Sequence, residues 1–261
     1  ILLVIGSFFG GKTGLTIGLG FAILINLFSY FYSYKLILLM YRAKEAKKSD
    51  YKELHEMVEG VAKEAGIPKP KVYIVPTESP NAFCAGPNPK KAILCYTQGI
   101  LKLLSKDELK GVTAHEIAHD KNRDILIATV AATIASVISY IAFMARFSAF
   151  SGGDNREGGG TNLIGLILLG ILAPLSATII QLAISRSREY IADETGAKLV
   201  KKGEPLAKAL EKLENYGKSH PMLLGSESTN NLFIVNPFRG KGMSFANIFS
   251  THPPTPLRIK R

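Results

Sequence analysis

The sequence predicts a multi-pass α-helical membrane protein that carries an α+β domain outside the bilayer, and three observations predict it. Apolar, uncharged runs occupy residues 15–34, 125–145 and 163–184, each close to the roughly 20 residues that a helix needs to cross a hydrocarbon core. Between and after them stand segments of mixed polarity with helix caps, short alternating runs and turn residues, the pattern of a small mixed domain. Lysine and arginine gather at one set of run ends only, which fixes an orientation.

The opening run, residues 1–9, makes only about 14 Å of helix at 1.5 Å per residue, too short to cross about 30 Å of hydrocarbon. With no initiator Met, it is expected to be the tail of a truncated span. It also lacks the basic start and small-residue cleavage site of a signal peptide. Residues 15–34 form the first complete span, whose helix is expected to continue through Lys35 to Tyr41 with the lysine snorkelling. Arg42, Lys44, Lys47 and Lys48 follow this span, Lys121 and Arg123 precede 125–145, and Arg186 and Arg188 follow 163–184. The opposite connections, 10–14 and 147–162, carry one lysine and one arginine between them. The basic ends are therefore expected to face the cytoplasm, in a plasma or inner membrane. The second connection is glycine-rich and reads as a flexible turn, making 125–145 and 163–184 an antiparallel hairpin.

The resulting division is a membrane region at 1–41, a cytoplasmic part at 42–124, a transmembrane hairpin at 125–184 and a second cytoplasmic part at 185–261. In the first cytoplasmic part, Asp50 with Glu53 reads as a capping box, and Leu54, Met57, Val58, Val61, Ala62 and Ala65 form an apolar stripe that Gly66 ends. Residues 72–75 read as a strand, and 81–85 with 92–96 as a hairpin around Gly86-Pro87-Asn88-Pro89. Ser105 with Glu108 caps a further helix, and no breaker follows until the membrane loop. In the last part, 205–216 is an amphipathic helix with Leu206, Leu210 and Leu213 inward and Gly217 at its end. The stretch 218–241, rich in Gly, Ser, Asn and Pro, reads as a loop in which His220 is exposed.

The net charge of +11 is accounted for by the cytoplasmic bias and attraction to anionic lipid. Nucleic-acid binding, the other use of such a balance, has no motif or aromatic platform in its favour. The two cysteines, Cys84 and Cys95, cannot frame a secreted fold and belong to no metal-spacing pair. A symmetric hairpin turn sets them opposite each other, and as free thiols in a reducing cytoplasm.

Chemistry concentrates at His115-Glu116-Ile117-Ala118-His119. Residues four apart share a helix face, so both imidazoles can point at one ion, and zinc suits imidazole with a water-filled fourth position. Glu116 lies beside them, placed to take a proton from a water that the metal has acidified. An amphipathic helix carrying two histidines by chance is the plain alternative. His55-Glu56 opens the same pattern but has Glu59 where the second histidine would stand, and reads as a solvated helix face.

The hairpin supplies a third ligand. Ile125 and Ile184 fall at one membrane depth on neighbouring helices, with axes about 8–10 Å apart. His119 lies six residues before the first and Glu189 five after the second, so both hang roughly 7–9 Å below that boundary at 1.5 Å rise. Asp193, one turn beyond Glu189, is placed to accept the free N–H of a metal-bound imidazole. The alternative for both acids is an interfacial helix meeting headgroups and water. His252, taken alone, reads as a surface histidine.

These residues resemble the HtpX-type membrane zinc metalloproteases, related to the CAAX prenyl endopeptidases. The resemblance rests on His115 to His119 followed by Asp124, on Ser185-Arg186-Ser187-Arg188-Glu189-Tyr190-Ile191-Ala192-Asp193, on Asn81-Ala82-Phe83-Cys84-Ala85-Gly86, and on Thr251-His252-Pro253-Pro254-Thr255-Pro256-Leu257-Arg258. They stand in the family's order along nearly the whole chain. The resemblance implies a multi-pass α-helical membrane protein with a cytoplasmic α+β zinc metalloprotease domain, holding one Zn2+ per chain through His115, His119 and Glu189. Glu116 is then the general base, Asn81, Ala82 and Phe83 belong to an edge strand that pairs with substrate, and His252 and Arg258 reach in to stabilise an oxyanion. Two spans precede the soluble part in that family, which agrees with a truncated first span. Cys84 departs from the family's edge strand.

The function expected is therefore a membrane endopeptidase acting on unfolded or membrane-protein polypeptides in quality control, with the lipid bilayer as its other partner and no nucleic acid. A CAAX-type prenyl endopeptidase is one alternative, although three or four spans are few for its chamber. A catalytically inactive membrane scaffold or holdase is another, for which a general base has no use.

Overall fold

The structure, a computed structural model, describes the backbone of residues 1–151, 163–219 and 252–261 and the side chains of 1–145, 172–217 and 252–261. Residues 152–162 and 220–251 lie outside the described residues, and with them most of the turn expected at 147–162, most of the loop expected at 218–241, and His220. Two compact units result, Ile1–Tyr30 with Ile127–Ile184, and Phe31–Leu126 with Ser185–Arg261.

The first unit is helical and turns its apolar side chains outward. Helix α1 (Leu2–Met40) is two helices joined at Gly11, whose backbone leaves the helical region at φ 55°, ψ −135°. Gly11 is a position that favours glycine, because an L side chain meets steric conflict there. The short arm doubles back on the long one so closely that a Cβ on Gly6 would lie 2.2 Å from the Gly14 carbonyl oxygen, and one on Gly18 would lie 2.7 Å from that of Leu2. Helix α5 spans Asp124–Ser151 and helix α6 spans Leu163–Val200 with Pro174 inside it. Gln181 donates to the Ala131 carbonyl at 3.4 Å and Thr16 meets the Tyr140 hydroxyl at 3.2 Å, tying the helices of this unit together. Among the described residues, α1 and α5 are long and apolar enough to cross a membrane. The run at 163–184 lies in α6, with the side chains of 163–171 outside those described.

The second unit is built on a four-stranded sheet of order β1-β2-β4-β3, from β1 (Lys44–Glu45), β2 (Lys71–Val75), β3 (Ala82–Ala85) and β4 (Ile93–Thr97). β2 and β4 run parallel, while β1 and β3 are antiparallel to their neighbours and form the two edges. Every residue of β4 is buried, as expected of a strand covered on both faces. One face (Val72, Ile74, Ala82, Leu94, Tyr96) packs on α2 (Lys52–Ala65), α4 (Lys106–Lys121) and α7 (Glu204–Ser219). The other face (Val75, Phe83, Ala85, Ile93, Cys95) packs on Tyr34, Ile37, Leu38 and Tyr41 at the end of α1. The short helices α3 (Gln98–Leu103) and α8 (Thr255–Lys260) complete it.

Several expectations hold in detail and several do not. The Ser105–Glu108 capping box is present, and Gly66 ends α2 in the left-handed region at φ 71°. Helix α2, however, starts after Tyr51 with no side-chain cap: Ser49 holds the Asp50 carboxylate at 2.7 Å and Lys106 holds Glu53 at 2.7 Å. Helix α7 passes through Gly217 to Ser219. In the hairpin, Phe83 stands opposite Cys95 and Cys84 opposite Leu94, because the Gly86–Ala92 connection shifts the register by one residue from symmetry. A one-residue shift changes faces, so the thiols point to opposite sides of the sheet, and both are free.

The most consequential difference concerns α4, which does not run on into the apolar run. It ends at Lys121; Arg123 turns through the left-handed region at φ 55° and α5 begins at Asp124.

Candidate metal centre

Four pieces of chain make the site, all in the second unit. Helix α4 supplies His115, Glu116 and His119; α6 supplies Arg188, Glu189 and Asp193; β3 supplies Cys84; the C-terminal segment supplies His252 and Arg258. Gly196 explains why α6 comes so near, since a Cβ there would lie 2.9 Å from the His115 backbone nitrogen. That crossing carries Glu189 and Asp193, seven and three residues earlier, over the two histidines.

The histidine Nε2 atoms lie 3.1 Å apart, and Glu189 oxygens lie 3.8 Å from that of His115 and 3.5 Å from that of His119. Three donors at zinc distances in a tetrahedral arrangement stand about 3.3 Å from one another, so this donor set fits such an ion in chemistry and in spacing. Among the described residues it is the one cluster of three such groups that could hold a metal.

The outward nitrogens are also held. His115 Nδ1 is 3.0 Å from Asp193 Oδ1, and His119 Nδ1 is 2.6 Å from Asp124 Oδ2. Each carboxylate favours the tautomer that leaves Nε2 as the metal-facing lone pair. Each carboxylate is itself held by an arginine. Arg258 grips Asp193 in bidentate fashion at 2.9 and 2.7 Å, and its Nη1 is 3.4 Å from Glu189. Arg188 donates Nε to Asp124 at 2.5 Å and Nη2 to the Asn122 carbonyl at 3.1 Å. Asp124 reaches His119 because the chain turns at Asn122 and Arg123, so the break in the helix is part of the site.

Glu116 is buried, and its Oε2 accepts the Cys84 backbone N–H at 2.8 Å. Strand β3 is thereby fastened to the site through its free edge. Asn81 accepts from Thr97 N–H at 2.9 Å and its own N–H donates to Thr97 Oγ1 at 2.8 Å, so Asn81 faces β4. Alternation then turns the backbone groups of Ala82 and Cys84 outward, while Phe83 packs its ring on the opposite face near Tyr41. His252 Nδ1 lies 3.0 Å from Glu189 Oε2.

The electrostatics follow from burial and these pairings. Burial raises the Glu116 carboxyl above its ordinary value against the opposing pull of His115 and His119. Burial works against charge on His119, yet the Asp124 hydrogen bond with the Glu189 and Glu116 charges outweighs it and pushes His119 up to about 9. Burial likewise opposes the ionisation of Glu189 and Asp193, but His252 and His119 around the first and Arg258 and His115 around the second hold both well below the usual carboxylate range. Burial, then the charge of Asp120 and after it that of Glu116, pushes the Cys84 thiol up. Asp120 itself is raised to about 6 by burial.

Every site residue expected from the sequence is gathered within this unit. Arg188, which the sequence marks only as a basic residue at the end of an apolar run, is an additional part of the site, because it clamps Asp124. His55 is half-buried and its Nε2 lies 2.9 Å from the Ala46 carbonyl oxygen, so it ties α2 to the chain beside β1, with Glu56 and Glu59 in solvent.

Comparison with known proteins shows the family to which the chain belongs. The profile of peptidase family M48 matches residues 48–261. A Protease HtpX homolog of Thermococcus sibiricus is 50% identical over 264 residues, covering 100% of this chain and 90% of that protein. One from Persephonella marina is 51% identical over 264 residues, covering 100% and 91%. The crystal structure of S. mikatae Ste24p superposes with a TM-score of 0.64 at 17% identity, covering 99% of this chain and 61% of that one, a likeness of fold. The chain therefore belongs to peptidase family M48, as an HtpX-type membrane metalloprotease.

Proposed function

We propose that the chain binds one zinc ion through His115, His119 and Glu189 and hydrolyses peptide bonds of unfolded or membrane-protein polypeptides, with the catalytic part on the cytoplasmic side of a plasma or inner membrane. The observation that carries this reading is the convergence of the three donors with Glu116, which Cys84 ties to a free sheet edge. When bound, zinc supplies Lewis-acid polarisation of the scissile carbonyl and acidifies the attacking water.

The chain's own residues do the rest. Glu116 is the general base, and its burial raises its proton affinity, the direction that suits a group taking a proton near neutral pH. Strand β3, with Asn81, Ala82 and Phe83, aligns an extended substrate through its outward backbone groups. Asp193 and Asp124 hold the two imidazoles in their metal-facing tautomer. His252 is the donor for the developing oxyanion. Arg258 serves the same site through Asp193, whose two oxygens it holds.

The division into a membrane region at 1–41, soluble parts at 42–124 and 185–261 and a transmembrane hairpin at 125–184 belongs to the same proposal. So does a role in membrane-protein quality control. The distribution of lysine and arginine supports the cytoplasmic orientation. The prenyl-endopeptidase and inactive-scaffold alternatives are not favoured, since relatives about half identical carry the name of a protease.

The test is digestion of casein by the detergent-purified protein. Cleavage is expected to stop on chelation and to return with stoichiometric zinc. Cleavage that survives full metal removal would overturn the reading.

A further inference from the structure

Asp120 is the acid of this region for which the proposed chemistry has no use. It stands one helical turn beyond Glu116 on the same face of α4, the face from which Glu116 holds the β3 backbone at Cys84. Asp120 is 9% exposed, and its Oδ2 is buried without a hydrogen-bond partner among the described residues. The neighbouring acids are all engaged: Glu116 by Cys84, Asp124 by His119 and Arg188, Asp193 by Arg258, and Glu189 by His252 and Arg258. A buried carboxylate oxygen without a donor is costly, and such a group in a native fold calls for a partner that arrives from elsewhere. Glu116, one turn earlier on that face, is bonded to the Cys84 backbone, which sets Asp120 beside the strand along which an extended peptide would run.

We propose that Asp120 is a specificity-determining residue that selects a lysine or arginine side chain of the substrate at one fixed position along β3. The inference rests on the reading of β3 as the substrate-pairing edge. A peptide paired there presents alternate side chains to the same side, so one of them reaches Asp120 in a constant register. An ammonium or guanidinium brings both the missing donors and the opposite charge, and charge-assisted hydrogen bonds are the stronger kind. The choice also suits the proposed substrates, because cytoplasmic segments beside membrane spans are rich in lysine and arginine.

The experiment uses the full chain in detergent with zinc and a set of unstructured peptides that differ only in carrying lysine or methionine at one position each. At a single position, wild type is expected to cleave the lysine peptide about tenfold or more faster in kcat/KM than its methionine twin. Asp120→Asn is expected to bring that ratio near one, and Asp120→Glu to keep a preference, each ratio taken within one preparation so that differences in folded fraction cancel. Absence of any basic preference in wild type, or a ratio unchanged in Asp120→Asn, would overturn the inference while leaving the peptidase reading intact. Failure of wild type to cut any peptide of the set in a zinc-dependent way would instead contradict the peptidase reading, and this inference with it.

Discussion

The two units invert each other. In the first, large apolar side chains face outward, with Phe8 83%, Phe28 65% and Ile134 54% exposed on α1 and α5. In the second, α4 buries Glu108, His115, Glu116 and Asp120 at 9% exposure or less. Neither pattern belongs to an ordinary soluble core, where apolar groups go inside and charges stay out. The difference teaches that each region is matched to a surrounding other than water. The first suits hydrocarbon, and the second surrounds its ionisable groups with one another and with donors fit for a cation.

Removing one charge from the buried set is expected to have the largest effect. Glu116→Gln keeps the two imidazoles and Glu189, so zinc remains while hydrolysis falls by about a thousandfold or more, as proton transfer and water orientation fail together. Metal analysis beside a peptide assay checks it, and near-normal turnover would break the comparison at its centre. His252→Ala comes next, with turnover lower by about 10²–10³ and zinc retained, the usual effect of losing one oxyanion donor. Unchanged turnover would return His252 to the status of a surface histidine.

The reverse substitution sharpens the other side of the contrast. Ile134→Arg puts a charge in the middle of the α5 apolar run, where insertion costs about 2.5–3.5 kcal/mol, so the apparent insertion equilibrium constant is expected to fall roughly a hundredfold in a membrane-insertion assay. A change of this kind at an ordinary exposed position would pass unnoticed, and a neutral outcome would argue against lipid around α5.

Much of the site was legible because its parts sit in short local patterns. His115 to His119 reveals itself by four-residue spacing, whereas Asn81 to Gly86 reads locally as a hairpin and as part of a site only through the family resemblance. Glu189 and Asp193 became legible through a topological step, the pairing of two apolar runs. What escaped depends on contacts that no local pattern encodes. The turn at Asn122 and Arg123 contains neither glycine nor proline, and it is held by the Arg188 bond to the Asn122 carbonyl, a partner 66 residues away in sequence. Arg188 was legible as a positive charge but not as a clamp, for the same reason. The register that separates Cys84 from Cys95 is set by the geometry of the connection, which composition does not reveal. Asp50 had the right spacing for a cap, but Ser49 holds its carboxylate and α2 starts after Tyr51 with no side-chain cap.

Smaller effects test how the imidazoles are held. Asp124→Asn and Asp193→Asn are each expected to weaken zinc binding about 10–100-fold, as changes to groups behind a ligand do, measured by competition with a chromophoric chelator. Arg188→Ala is expected to follow Asp124→Asn in direction. The last and smallest is a pH effect. His119 is pushed up to about 9 in the metal-free protein, so below that pH it must lose a proton before it can bind metal. Apparent zinc affinity is therefore expected to rise about tenfold per pH unit between 7 and 8 and to level off above 9. For the stability of the metal-free fold the sign is opposite: a histidine raised above its unfolded value stabilises that fold fully below about pH 6.5, and the contribution is lost as pH rises through about 9. Zinc affinity that does not change between pH 7 and 9 would contradict the Asp124–His119 pairing.

Zinc absorption spectroscopy of the detergent-purified wild type, with Glu189→Ala beside it, tests the central claim most directly. The account predicts one zinc per chain with nitrogen and oxygen neighbours at about 2.0–2.2 Å, two of them imidazoles, and loss of that ion in Glu189→Ala. A sulfur neighbour at about 2.3 Å, which would bring Cys84 into the shell, or an unaltered zinc environment in Glu189→Ala, would contradict it.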